Sequence, residues 1–275
     1  MKVINWPDFS PVLFSIGPFA VHYYALAYIT GLLLGWWLAR KLVGMAPMAA
    51  TPAQVDDFLT WAVLGVLVGG RLGYVIFYQS HFESWGHMLT HPIDIIAVWR
   101  GGMASHGGFI GVTVAIIWFS LKNKLDMFKF GDRVAVCVPI GLFLGRIANF
   151  INGELWGRVA DAGSKFPLLV IFPQSGTLAP RYPSELIEAA TEGLILFIVM
   201  ISAVQSARLR EKPGFLAGLF LVLYGVARIF SECFREPDSF LGFLPFHTTM
   251  GQILSVPVMI GGAYLIWRSG RERTA

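Results

Sequence analysis

Residues 133–151 read Arg133-Val134-Ala135-Val136-Cys137-Val138-Pro139-Ile140-Gly141-Leu142-Phe143-Leu144-Gly145-Arg146-Ile147-Ala148-Asn149-Phe150-Ile151. The stretch is close to the roughly 20 mostly apolar residues that a membrane-crossing helix needs, yet Arg146 stands inside it. Arg71 and Arg228 sit inside apolar runs in the same way. A guanidinium in hydrocarbon costs roughly 2.5–3.5 kcal/mol on insertion scales, so each of the three needs a partner or a task. Past Arg146 the polar residues continue, and Gly145 to Arg158 reads G-R-I-A-N-F-I-N-G-E-L-W-G-R.

The whole chain has the same character. Of its 275 residues, 55% are hydrophobic and 14% charged, with a mean hydropathy of +0.63. A soluble domain carries about 25% charged residues, so the composition predicts an all-α integral membrane protein. Seven spans are expected, at 19–39, 57–78, 104–121, 133–151, 183–205, 214–232 and 249–267. Pro139 and three glutamates weaken the fourth and fifth of these. The run Ile93 to Trp99 is too short to cross and is read as a surface or re-entrant piece. The N-terminus lacks a basic region followed by a short apolar core, so no cleavable signal is expected and the first span serves for targeting. The whole of 1–275 forms one transmembrane domain, and 152–182 form a small ordered cap.

Orientation follows the Lys and Arg of the loops. One set of loops holds Arg40, Lys41, Lys122, Lys124, Lys129, Arg133, Arg208, Arg210, Lys212, Arg268, Arg271 and Arg273; the other holds Lys2, Arg100, Arg158, Lys165, Arg181 and Arg235. The richer set is expected in the cytoplasm, which puts the N-terminus outside, the C-terminus inside and the cap on the outer side. The net charge of +4 comes mostly from these loops, so it reports orientation rather than nucleic-acid binding.

Depth counting then brings the three arginines to one level. Each lies about 12–14 residues into a span that runs outward, or about 20 Å at 1.5 Å per residue, in the outer half of a core about 30 Å thick. Tyr24, Ser105, His106, Asn149, Glu154 and Glu232 fall near that level. Glu185, Glu188 and Glu192 share a helix face by their spacing and are plausible counter-ions. Several polar groups at one depth favour a substrate site over isolated struts. For Arg71, helix packing is as good a reading as substrate contact. A cluster of guanidiniums matches the oxygens of a phosphate, and a lipid phosphodiester reaches this depth by lateral diffusion. Two other readings stay open: an anion or lipid pathway, and arginine–glutamate pairs that only hold helices together.

His106 stands before Gly107 and Gly108, glycines that permit close backbone approach beside the imidazole. His22 reads as an interfacial anchor. His81, His87, His91 and His247 read as outer-loop residues without metal-ligand spacing, so no metal is expected. Cys137 and Cys233 offer neither metal-ligand spacing nor a disulfide framework. Nucleophile-elbow, phosphate-loop, zinc-protease and dinucleotide motifs are absent from the sequence.

Several motifs together resemble one known family, the prolipoprotein diacylglyceryl transferases. They are Gly145 to Arg158, H-G-G at 106–108, G-G-R-L-G-Y at 69–74, F-S-I-G-P at 14–18, Y-G-V-A-R at 224–228 followed by F-R-E-P-D at 234–238, and M-G-Q-I-L-S at 250–255. The resemblance runs along nearly the whole chain, in order. It implies a bacterial inner-membrane enzyme with an active site toward the periplasm. Such an enzyme moves the diacylglyceryl group of phosphatidylglycerol onto the lipobox cysteine of a preprolipoprotein, leaving a thioether and glycerol phosphate. It also implies central roles for the residues here at Arg146 and Arg228, with Tyr24, His106, Asn149, Glu154, Gly157, Glu232 and Tyr224 as further members of the site. The loop after Arg158 is short for the family. A thiol attacks as thiolate, and departing phosphate gains charge that positioned donors stabilise. Arg146 and Arg228 are therefore assigned to the phosphate, and His106 is the leading base, with Tyr24 its rival. Asn149 and Glu154 would orient the headgroup or the arginines. No cofactor and no partner beyond lipid and lipoprotein substrate are expected, and nothing demands more than a monomer.

Overall fold

The computed structural model describes residues 2–7, 9–17, 19–77, 90–98, 101–237 and 242–271. In chain order the elements are β1 Lys2–Asn5, β2 Val12–Ile16, β3 Phe19–His22, α1 Tyr23–Val43, α2 Pro52–Phe77, α3 Pro92–Ile96, α4 Ser105–Lys122, α5 Met127–Asn152 and β4 Leu168–Ile171. They continue with α6 Ser184–Gln205, α7 Ala207–Arg210, α8 Phe215–Glu232 and α9 Met250–Arg271. Among the described residues, six helices are long and apolar enough to cross a membrane, and α4 carries a shorter apolar stretch, His106–Lys122. The chain is thus an all-α, multi-pass membrane protein. Large apolar side chains such as Ile110 and Ile260 are 61% and 65% exposed, which is tolerable only where the solvent is lipid. Pro139 and Pro257 lie inside α5 and α9 without ending them, as neighbouring helices permit in a membrane. His81 and His87 lie outside the described residues, as do Arg100, Asp238 and Arg273.

The chain forms two compact units, Met1–Ala39 with Asp132–Ala275, and Arg40–Gly131. In the first, β1 pairs in parallel with β4, Lys2 opposite Leu168 and Asn5 opposite Ile171. This small sheet buries Trp6 against Val170 and Phe172, with Phe150 and Trp156 packed on them. The Trp6 indole donates to the Phe150 carbonyl at 2.7 Å, which ties the end of α5 to the sheet. The strands escape a hydropathy reading because each is four residues long. At the opposite end of α8, both Asp132 carboxylate oxygens cap the helix, accepting from the Gly214 and Ala217 amides at 2.9 and 2.7 Å. An acidic cap there meets both the orphan amides and the helix dipole.

In the second unit, α2 begins at a capping box. Thr51 N donates to Gln54 Oε1 at 2.9 Å and Gln54 N to Thr51 Oγ1 at 3.3 Å, with Pro52 in the first turn where no amide is missed. Helices α2 and α4 then meet along glycines four residues apart. A Cβ added to Gly65 would lie 2.7 Å from the Gly111 carbonyl oxygen, and one on Gly73 would lie 2.7 Å from the Gly107 Cα. Small residues at this spacing let membrane helices approach backbone to backbone. Gly107, beside His106, therefore serves helix packing.

Candidate active site

The first unit contains a buried charge cluster built from α5, α6, α8 and the turn after α8. Arg146 Nε lies 2.7 Å from Glu188 Oε2, and its Nη2 lies 3.5 Å from Glu192 Oε2. Arg228 Nη1 lies 3.3 Å from both Glu188 Oε1 and Glu192 Oε1, and its Nη2 lies 2.5 Å from Glu232 Oε1. Arg235 closes the group, 3.4 Å from Glu188 and 4.0 Å from Glu232. Glu188 thus meets three guanidiniums while only 1% of its side chain is exposed. Three arginines face three glutamates, so the ionised cluster is neutral as a whole. That balance is how these charges survive in a low-dielectric setting.

Local structure explains the convergence. The segment Ala189–Ile195 of α6 is a π-helix, a rare widening that is frequent at functional sites. Glu188 and Glu192 flank and enter it. On α8, Arg228 and Glu232 are one turn apart, and Arg235 extends the same face. Gly251, at the start of α9, makes room: a Cβ there would come within 2.6 Å of the Glu232 carboxyl carbon. Glu185, expected among the counter-ions, is also buried but takes no part in the described ion pairs. It lies a turn nearer the start of α6 than Glu188.

Residues 153–158 follow the last turn of α5, to which Glu154 is tied. Asn149 Nδ2 donates to Glu154 Oε1 at 2.8 Å, and Leu155 turns the chain with φ of 60°, its carbonyl held by Ser184 Oγ at 3.1 Å. Gly157 lies between two other segments. Its amide donates to the Tyr182 carbonyl at 3.2 Å, and an added Cβ would stand 2.7 Å from the Phe234 carbonyl oxygen and collide with that of Tyr182. Arg158 then donates from Nε to the Arg235 carbonyl and from Nη2 to the Glu232 carbonyl, both at 2.8 Å. Arg181 donates to the Gly157 carbonyl at 3.0 Å and pairs with Glu236. The loop is therefore stitched to the residues that end α8.

The two tyrosines expected in the site, Tyr24 and Tyr224, are in the same unit. The Tyr24 hydroxyl lies 3.3 Å from that of Tyr28. Tyr224 stacks on Phe220 and stands one turn before Arg228 on α8. His106, at the start of α4, and Arg71, on α2, belong to the second unit. Arg71 is 5% exposed and donates to the carbonyls of Asp94, Ile95, Gly101 and Gly102 at 2.5, 3.2, 2.6 and 3.2 Å. Its guanidinium fastens α3 and the Gly101–Gly102 segment beyond it.

The profile of the family described as prolipoprotein diacylglyceryl transferase matches residues 11–268. The chain belongs to that family. A relative from Acidiphilium cryptum, named phosphatidylglycerol–prolipoprotein diacylglyceryl transferase, is 58% identical over 98% of this chain and 95% of its own length. Relatives of the same name from Gluconacetobacter diazotrophicus and Azospirillum brasilense are 56% and 46% identical, the first over 97% of this chain and 92% of its own length, the second over the full length of both.

In this member of the prolipoprotein diacylglyceryl transferase family, the structure joins Arg146, Arg228 and Glu232 in one ion-pair cluster, sets Asn149 in the last turn of α5, and places Glu154 and Gly157 in the segment that follows it. Sequence reasoning missed Arg235, counting it as a loop cation. Its signal was its spacing: Arg228, Glu232 and Arg235 lie four and three apart, which is one helix face. It also passed over Gly251 and Arg158 as members of the assembly. Guanidiniums carry five donors each, so a site with three of them can exchange carboxylate partners for phosphate oxygens.

Proposed function

We propose that this chain transfers the sn-1,2-diacylglyceryl group of phosphatidylglycerol to the lipobox cysteine of a preprolipoprotein, in the bacterial inner membrane and with its reacting groups toward the periplasm. The chain is an enzyme, a transferase of lipoprotein maturation. The observation that carries the mechanism is the buried set of Arg146, Arg228 and Arg235 around Glu188, Glu192 and Glu232. A neutral assembly of forked donors suits a phosphodiester that arrives through lipid. The excess of Lys and Arg in the inner loops supports the orientation.

In the reaction a C–S bond forms between the cysteine sulfur and the glyceryl carbon, and the C–O bond from that carbon to phosphate breaks. The thiol proton passes to a base, and the electron pair of the C–O bond leaves with glycerol phosphate. The phosphate ester is itself the activated group, so the displacement needs no cofactor. Arg146 and Arg228 bind the phosphate and stabilise the charge that develops on it; one such positioned donor is worth about 2.7–4 kcal/mol. Asn149 and Glu154 orient the headgroup, Gly157 lets the segment after α5 close on the end of α8, and Glu232 holds Arg228, with Tyr224 one turn before it on α8. His106 serves as the base that takes the thiol proton, with Tyr24 the rival. Arg71 holds α3 and the segment beyond it through their carbonyls, so its role is in packing rather than in lipid contact.

The test is direct. Purified protein with phosphatidylglycerol and a lipobox peptide should add one diacylglyceryl group to the peptide cysteine, read by mass. Unmodified peptide from folded protein overturns the proposal.

A further inference from the structure

Helix α8 ends in main-chain carbonyls that an α-helix cannot satisfy from within. Glu232 is its last residue, and Arg235 lies three residues further on, in the turn. Both belong to the charge cluster: Glu232 pairs with Arg228 at 2.5 Å, and Arg235 reaches Glu188 at 3.4 Å. The amides of Phe234 and Arg235 bond back to the Ser231 carbonyl at 3.0 and 3.2 Å, but the carbonyls of this turn need donors from elsewhere. Arg158 supplies them. Its Nη2 donates to the Glu232 carbonyl and its Nε to the Arg235 carbonyl, both at 2.8 Å. Its own amide donates to the Phe234 carbonyl at 2.8 Å, and Gly157 pairs antiparallel with Arg235. The guanidinium also lies over the Phe243 ring, 4.9 Å from the centroid, a cation–π contact that steadies the fork. A cation at this end of a helix meets the negative pole of the helix dipole as well.

We infer that Arg158 is a positioning residue of the transfer reaction proposed above, on which this inference rests. By bridging the carbonyls of Glu232 and Arg235, it sets where their side chains enter the charge cluster. Its described side-chain acceptors are main-chain carbonyls, not carboxylates, so it acts on the geometry of the cluster rather than on its charge balance. The two carbonyls lie three residues apart across a turn, and a guanidinium offers two donors in one rigid plane to span them. A lysine ammonium keeps the charge without fixing the angle between the carbonyls. Arg158 also follows Glu154 by four residues, and Glu154 is bonded to Asn149 on α5. One short segment thus ties the end of α5, through Glu154, to the end of α8, through Arg158. A misplacement of about 1 Å in such a support can cost about 10²-fold in rate without any contact to substrate.

The experiment is a double-mutant cycle on the full chain in phosphatidylcholine nanodiscs, with phosphatidylglycerol and a lipobox peptide as substrates. Arg158→Gln should lower kcat/KM about 10²-fold in protein that is still folded at the assay temperature. Arg158→Lys, the milder variant, should lower it about tenfold with little change in melting. If Arg158 acts through Arg235, the same Arg158→Gln change made in an Arg235→Gln background should cost under tenfold, because residues that act as one unit do not add. A purely structural role moves melting and not this coupling. Losses that multiply in full would overturn the inference, as would wild-type kcat/KM in folded Arg158→Gln. So would a loss that matches the unfolded fraction. Lipid binding gives a second readout, the rise in melting temperature as phosphatidylglycerol is titrated in. Arg158→Gln should move the midpoint of that rise to about tenfold more lipid, and a midpoint equal to wild type would overturn the inference. Wild-type protein that binds the lipid but leaves the peptide unmodified removes the transfer reaction, and the midpoint still decides the role of Arg158.

Discussion

Arg146 Nε meets Glu188 Oε2 at 2.7 Å, joining α5 to α6 across 42 positions of sequence at the depth where α8 brings in Arg228. Because Glu188 also holds Arg228 and Arg235, the carboxylate is the common point of three helical segments. The pair is a structural tie, and under the proposed reaction it is also where the anionic headgroup competes.

Arg146→Lys keeps the charge but loses the planar fork. Glu188 retains a cation, so the helices stay together. Transfer should fall about 10²–10³-fold, the usual effect of removing a positioned donor of this kind, with thermal unfolding close to wild type. Wild-type turnover in single-turnover assays would remove Arg146 from the mechanism.

His106→Gln tests the base. Without an acceptor for the thiol proton, the rate should follow the thiolate fraction of the substrate. It should then rise about tenfold per pH unit up to the cysteine's ordinary range near 8.5. The wild-type profile should be flatter over the same interval. An unchanged rate at neutral pH would demote His106 to a structural role.

Arg71→Gln should act on the fold. Four main-chain carbonyls lose a charged donor, and an orphaned buried polar group costs about 1–3 kcal/mol. The unfolding temperature should drop, while KM for phosphatidylglycerol stays near wild type in the protein that remains folded. The reverse result, a raised KM at unaltered stability, would put Arg71 in the lipid site.

Gly157→Ala places a methyl against the carbonyls of Tyr182 and Phe234. Overpacking of this kind costs about 1–3 kcal/mol, and here it pushes the loop carrying Glu154, the partner of Asn149, away from the end of α8. Activity should fall more than stability, which parallel rate and melting measurements will show. Equal activity would mean the loop tolerates the shift.

Asp132→Ala removes the cap of α8 at the end far from the charge cluster. A loss of about 1–2 kcal/mol of stability is expected, without change in kcat or KM. A selective loss of kcat would instead couple that end of α8 to the site.

Much of this was readable from residue types. Arg146 and Arg228 stood out because apolar neighbours make a lone guanidinium costly, and that cost named them before any contact was known. The glutamates of α6 were readable as counter-ions by their spacing, yet spacing selected three and the fold uses two in its ion pairs, since Glu185 lies a turn nearer the start of α6. Arg235 was hidden by its place after a span, where positive residues are ordinary. Gly157 and Gly251 were hidden for another reason: a glycine's role lies in the space around it, and neighbours from distant segments define that space.

Composition and hydropathy alone determined that the chain is a membrane protein of long apolar helices and that three arginines were anomalous within it. These follow from the free energy of moving a single residue from water to hydrocarbon, which each residue carries with it. Only the tertiary structure distinguished Arg71, held by backbone carbonyls, from Arg146 and Arg228, held by carboxylates. That difference depends on which groups other segments bring within about 3 Å, and no property of the arginine or its immediate neighbours encodes it.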